Sequence, residues 1–454
     1  MKKVSISLFI LLLLFFSVKL IAQYNQLPGF PYSAEQNSQY GARNGVGVVN
    51  INDDPFLEIV VSVFNATFAI NYQGECLWIT YTANEALSTM SFVDITNDGY
   101  LEIIQTTRNR WVYILDKDGN NIQGWPKHFG SYGDSGFLTT ALAYDLDGDG
   151  YKEIMWGNYD YSYPCGLYVV TVDGENYNEN FPFYIDGGVA CIPAVGDVDN
   201  DGIPEIICAA HDRNLYIFKP DGTIMNGWPQ QPFNGNANYW STSPILADLT
   251  GDGFLEIIAP ASGNYTTPQP TGLYVYKYDG SVLDGWPRQF PDITMCPPSV
   301  ADLNNDGSLE IICGCHNTYQ SNNTIYIYNA KGEYFSNAPY YSFGDVCGPI
   351  IIGNIDNSSE REIIFDSNFA TTPPMLGYIE GRHCNGDSID GFPLRPQGFT
   401  MSNSGVFGDI NQDGILDLIT YSDDPFDADS LWIYAYNLNI PYDPLQIEWK
   451  TYQY

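Results

Sequence analysis

The chain has 454 residues, with 54 acidic side chains against 18 basic ones, and a formal charge of −36 at pH 7. That surplus repels a nucleic-acid backbone or an anionic membrane surface, so neither is expected as a partner. Tyr, Phe and Trp reach 15% while charged residues are only 16%, a balance that argues against disorder and for stacked, aromatic-rich β structure.

The first element in chain order is a leader. Lys2 and Lys3 precede an apolar run from Val4 to Val18, and Ala22 offers a small residue for cleavage, so residues 1–22 read as a secretory signal peptide. An uncleaved anchor is the alternative, opposed by the short run and by Lys19 directly after it. No later stretch is apolar and long enough to cross a bilayer. The mature protein is therefore expected to be secreted or at the cell surface with no integral span, and residues 24–454 to form one domain. Export permits disulfides, although nine cysteines leave at least one unpaired.

From Asn50 onward an acidic nonapeptide recurs eight times. The copies are NINDDPFLE from Asn50, DITNDGYLE from Asp94, DLDGDGYKE from Asp145, DVDNDGIPE from Asp197, DLTGDGFLE from Asp248, DLNNDGSLE from Asp302, NIDNSSERE from Asn354 and DINQDGILD from Asp409. Successive starts lie 44, 51, 52, 51, 54, 52 and 55 residues apart, a period that marks stacked supersecondary units. In each unit an apolar segment leads in and a short apolar run such as EIIQTT or EIICAA follows. An alternating segment such as LYIFKP or IYIYNA comes next, then a turn and a fourth piece such as DGWPRQF. Alternation punctuated by turns means strands, and each unit reads as a four-stranded antiparallel sheet. Such units predict an all-β fold, a β-propeller of eight four-stranded blades, with seven and irregular ends as the alternative. Separate small β domains would need linkers, and none divides the units. Both QLPGFPYS near the N-terminus and QIEWKTY near the C-terminus resemble a fourth strand, so either end can complete the last blade. The GWP motifs of Trp125, Trp228 and Trp286 read as outer-strand packing between blades.

The nonapeptide offers oxygen side chains at positions one, three, five and nine, with glycine at six. Calcium takes six to eight oxygens in loose geometry, and a turn supplying alternate residues can wrap it, with a carbonyl at position seven. The acid at position nine between strands, rather than at twelve between helices, separates this loop from an EF-hand. A merely polar Asp-Gly turn would explain one copy but not eight in register. Six loops carry the expected structural calcium ligands: Asp94, Thr96, Asp98 and Glu102; Asp145, Asp147, Asp149 and Glu153; Asp197, Asp199, Asp201 and Glu205; Asp248, Thr250, Asp252 and Glu256; Asp302, Asn304, Asp306 and Glu310; Asp409, Asn411, Asp413 and Asp417. The first unit, with Pro55 in place of glycine, and the seventh, with Ser358 and Ser359, are expected to be weak or empty.

At these residues the chain resembles the FG-GAP or VCBS-type repeat family, related to the propeller at the head of integrin α chains. GVFGDINQDGILDL (405–418) and AVGDVDNDGIPEI (194–206) are the closest local matches, and the resemblance covers about residues 45 to 440. It implies a calcium-loaded, usually extracellular propeller, often engaged in adhesion or ligand recognition. The GAP half of the name has no clear counterpart, so an integrin-like partner does not carry over.

Loops on the face away from the acidic turns can build a binding surface. There the sequence places Arg108, Arg110, Tyr161, His211, Arg213, His316 and Tyr319, cations and rings suited to stacking on sugars or meeting an acidic group. An extracellular glycan or protein ligand is the partner expected. A polysaccharide lyase and a purely structural surface component are the alternatives. No serine elbow, HExxH helix or phosphate loop appears, and no catalytic residue is assigned. Cys313, Cys315 and His316 form a C-x-C-H run without four visible zinc ligands. The 17-residue spacings of Cys191 to Cys208 and of Cys296 to Cys313 leave cross-strand disulfides or buried thiols open.

Overall fold

The structure is a computed structural model and describes residues 24–34, 45–86, 88–130, 136–160, 164–232, 243–261, 271–290, 297–315, 324–356, 358–369, 376–400, 405–423 and 431–449. The predicted leader, Tyr161, His316, Tyr319 and Cys296 lie outside these residues. Eight antiparallel sheets follow one another along the chain as the blades of a β-propeller. The first strands of blades 4 and 5 approach one another, as do those of blades 8 and 1, so first strands line the axis and the ring is closed.

Each blade is sandwiched between two others, and its middle strands are buried on both faces, as in Glu58–Val63 and Leu215–Phe218. The alternation in the third strands therefore sorts two kinds of buried side chain rather than core from solvent. In blade 6, Tyr326 and Tyr328 pack toward blade 5 while Ile325 and Ile327 pack toward blade 7. In blade 8, Tyr434 and Tyr436 face blade 7 while Ile433 and Ala435 face blade 1. Residues two apart on one face stack their rings: Tyr216 on Phe218 at 5.5 Å, Tyr274 on Tyr276 at 5.3 Å, Tyr434 on Tyr436 at 5.8 Å. The core thus lies between blades. Burying one such side chain stabilises by about 1.5–3 kcal/mol.

Outer strands latch each blade to the next. The indole N–H of Trp125 donates to Val172 O at 2.8 Å, that of Trp228 to Tyr278 O at 2.7 Å and that of Trp286 to Ala330 O at 2.9 Å, which places the GWP motifs where packing between blades was expected. At Trp228 and Trp286 the glycine before the ring is part of the contact. A Cβ on Gly227 or Gly285 would sit 2.3 or 2.1 Å from a carbonyl oxygen in the neighbouring turn.

The N-terminal segment completes blade 8. Asn25–Gln26 and Tyr32–Ala34 pair with Leu431–Pro441, and a Cβ on Gly29 would lie 1.9 Å from Gln73 O of blade 1, the contact seen at Gly227 and Gly285. The C-terminal segment does something else: Ile447–Trp449 pairs with Ile351–Gly353, the first strand of blade 7, and adds a strand at its axial edge. Among the described residues, blades 3 and 4 also depart from the four-strand expectation, beside blade 8 with its two N-terminal strands and blade 7 with the C-terminal one. Blade 4 has three strands plus a single bridge between Leu215 and Gln230, and the lead-in of blade 3 is split into Phe137–Leu138 and Leu142–Tyr144. Cys191 and Cys208 are buried free thiols, not a disulfide.

Candidate functional site

Every acidic loop leaves a first strand and re-enters at a second, so all eight share one face of the disc. The register is the same throughout: the last residue of the first strand pairs with the acid at position nine, as in Val49 with Glu58, Gly196 with Glu205 and Gly408 with Asp417. That acid is at most 5% exposed in every blade. One of its oxygens accepts the N–H of position two at 2.8–3.2 Å in all eight copies. In blades 2 to 6 and 8 the aspartate at position one accepts the N–H of position six at 2.8–3.0 Å. The aspartate at position five accepts that of position seven at 2.8–3.0 Å. Glycine at six is required by φ values of 81–95°.

Position four, which the sequence reading left unassigned, is also left-handed: Asn97, Gly148, Asn200, Gly251, Asn305 and Gln412 have φ of 57–74°. The recurrence of Asn and Gly there was the available signal, since these residues tolerate that conformation best.

These loops gather negative charge in partial burial. Burial first, and then Asp147 and Asp149, push Glu153 up to about 7. Burial and then Asp199 and Asp201 do the same to Glu205, and burial with Asp413 and Asp409 to Asp417. Glu58, Glu102 and Glu256 are raised as well, chiefly by burial. Carboxylate oxygens of Asp145, Asp147 and Glu153 lie within 4.8 Å of one another, as do those of Asp197, Asp199 and Glu205. Among the described residues, Asp199 Oδ1, Glu205 Oε1 and Asp417 Oδ1 are buried and accept no hydrogen bond. An all-oxygen donor set with orphaned anionic atoms fits a hard cation, and these clusters can hold a metal ion.

Blade 1 differs. The Asn52 side-chain amide donates to Glu58 Oε1 at 2.7 Å and that of Asn50 to Asp54 O at 2.7 Å, so neutral donors satisfy the oxygens that a cation would take. The amides of Asn304 and Asn411 donate to Asp306 and Asp413 at 3.0 and 3.1 Å, and Thr96 Oγ1 donates to Glu102 Oε1 at 3.2 Å.

On the opposite face the structure joins several of the expected ligand residues through two rings. Arg108 pairs with Glu85 at 3.2 Å and its guanidinium lies 4.8 Å from the centre of the Phe137 ring. Phe137 stacks on Tyr159 at 5.2 Å, and Tyr159 on His211 at 5.5 Å, with interplanar angles of 14° and 13°. Beside this row Arg110, 2% exposed, has Nη2 3.9 Å from Asp160 Oδ2. Arg213 is exposed in the turn after His211, at φ 74°. Burial pushes the His211 imidazole below its usual range against the opposing pull of Asp212, which favours the neutral ring. Phe137 was missed because it precedes its repeat unit's acidic loop. A separate cleft of about 690 Å³ at the outer rim is lined by Trp111, Lys127, His128 and Glu175.

Residues 197–259 match the FG-GAP-like repeat family. The match takes in the loops at Asp197 and Asp248, and the other units repeat the same loop register. A comparison with curated protein sequences finds no match. Among solved structures, the chain is similar to the biofilm matrix protein Bap1 of V. cholerae, with 14% identity, a TM-score of 0.65 and coverage of 94% of this chain and 92% of that one. It is also similar to Sqt1 of Saccharomyces cerevisiae, with 9% identity, a TM-score of 0.60 and coverage of 91% and 100%. BamB of Moraxella catarrhalis follows at 10% identity and a TM-score of 0.56, with coverage of 91% and 100%. These likenesses show the fold. No helix of the described residues is long and apolar enough to cross a membrane.

Proposed function

We propose that the chain is an exported propeller, stabilised by calcium in six loops, that binds an extracellular glycan on the face away from those loops. The observation that carries the binding reading is the row Arg108, Phe137, Tyr159 and His211, a continuous stack of half-buried rings that spans blades 2 to 4 with the Arg108 guanidinium at one end. Flat sugar faces stack on such rings, and Arg108 and Arg213 supply charge for an acidic sugar. The biofilm matrix setting of Bap1 is in keeping with that role. In the metal loops, the aspartates at positions one and five, the Asp, Thr or Asn at three and the acid at nine would hold calcium, with the function of joining first and second strands.

Titration of the calcium-loaded protein with acidic and neutral polysaccharides tests the reading: binding is expected and is lost in Tyr159→Ala and weakened in Arg108→Ala. Equal binding by both variants would overturn it. A neutral His211 beside Tyr159 and the Arg110–Asp160 pair is the one feature that favours lyase chemistry. Ultraviolet absorbance in the same samples reads unsaturated sugar ends, and its growth would replace binding by cleavage.

A further inference from the structure

Blade 7 departs from the other blades in two places at once. Its loop has lost aspartate at positions one and five, where Asn354 and Ser358 stand, and the Asn354 amide donates to Ser358 O. The turn after its third strand begins with His383, whose N–H donates to Asp387 O. The same backbone bond marks the equivalent residues in blades 1 to 6 as Asn71, Asp116, Thr171, Lys219, Lys277 and Asn329, so blade 7 alone among them carries an imidazole here. His383 Nδ1 lies 3.4 Å from Glu362 Oε1 and 3.7 Å from Asp356 Oδ2.

We propose that Asp356, Glu362 and His383 form a binding site for a borderline divalent transition ion such as zinc, distinct in chemistry from the all-oxygen loops. Their donor atoms lie within 4.8 Å of one another. The two distances from the imidazole are close to the edge of a tetrahedron with bonds of about 2.05 Å, roughly 3.3 Å. One nitrogen and two carboxylates fall short of the six to eight oxygens calcium takes, whereas imidazole suits zinc, nickel and copper. Glu362 is fully buried, and one oxygen is fixed by the Ile355 N–H at 2.8 Å. The side chains of His383 and Asp356 are 30% and 28% exposed, so an ion can enter and keep a water. Ser358 Oγ, 3.3 Å from Glu362 Oε1, is a further oxygen beside the cluster.

Cobalt(II) is the probe, added to the full calcium-saturated chain. Visible d–d bands saturating at one equivalent are expected, unaffected by further calcium and abolished by zinc. The bands should vanish in His383→Gln and in Asp356→Asn, with circular dichroism unchanged and calcium content retained. They should persist in Cys76→Ser, which removes an exposed thiol, and in His128→Gln. Absence of bands in the unaltered protein would mean that His383 serves only as an ion-pair partner. Bands surviving in both His383→Gln and Asp356→Asn, or lost in Cys76→Ser or His128→Gln, would equally overturn the site. Should one ligand variant fail to fold, the other decides.

Discussion

The carboxylate at position nine has two duties, and they can be separated. One oxygen receives a backbone N–H, and in Glu205 the other, Oε1, accepts no hydrogen bond and is open to the calcium proposed above. Glu205→Gln should keep the strand hydrogen bond and lose a calcium: isothermal titration should count one site fewer, with stability in chelator at pH 7.5 raised because a buried charge is removed. Glu58→Gln should leave the calcium count intact, because the Asn52 amide already serves Glu58. The pH response follows from the same residues. Glu153, Glu205 and Asp417 are raised to about 7 in the metal-free fold, against roughly 4 in an unfolded chain. Between these values the folded state holds more protons, so stability falls as pH rises through the window. In chelator the melting temperature should therefore climb as pH is lowered from 7.5 to about 5. With calcium present the sign should reverse, since protons then compete with the ion. A chelated protein that melts lower at pH 5 than at pH 7.5 would contradict this account.

At the scale of elements, the glycine before the ring of a fourth strand separates a steric from a conformational cost. Gly29 and Gly124 have nearly the same φ, 93° and 92°, yet a Cβ meets Gln73 O at 1.9 Å in the first and nothing within 4 Å in the second. Gly124→Ala should cost about 1–2 kcal/mol, the left-handed penalty alone. Gly29→Ala should cost more than that, by thermal melting, because the seam between blades 8 and 1 must open. The strand architecture was legible because one loop recurs in eight registers, each forcing the same hairpin. Ring closure was not, since QLPGFPYS and QIEWKTY have similar local pattern, and only the pairing with Leu431–Pro441 distinguishes them. The His383 cluster was hidden for a related reason: its ligands belong to a loop and a turn separated by two strands, and no short motif joins them.

Across the whole molecule, a formal charge of −36 is distributed with 24 acids at loop ligand positions on one face. The loops are also fastened to one another around that face. Lys152 Nζ donates to Asp94 O at 2.9 Å and the Asn97 amide to Gly150 O at 2.9 Å, each across a blade junction. Removal of calcium should thus lower the melting temperature of the entire ring in one cooperative step. Added monovalent salt should restore part of the loss, because screening acts over about 10 Å at 0.1 M. A melt that splits into separate transitions would show the blades to be independent.

The pairing of Asn25 with Asn437 and of Tyr32 with Ile433 also sets a timetable. A strand made before blade 1 has to remain without its partner until the third strand of blade 8 has been made. Seven blades can form in sequence from local hairpins, but the last interface exists only once both ends meet, and its loop-closure entropy falls due in a single late event. Until then the apolar flank of blade 1, with Ile59, Val61 and Phe68, has no cover. That interval is the one in which two incomplete rings can exchange these strands.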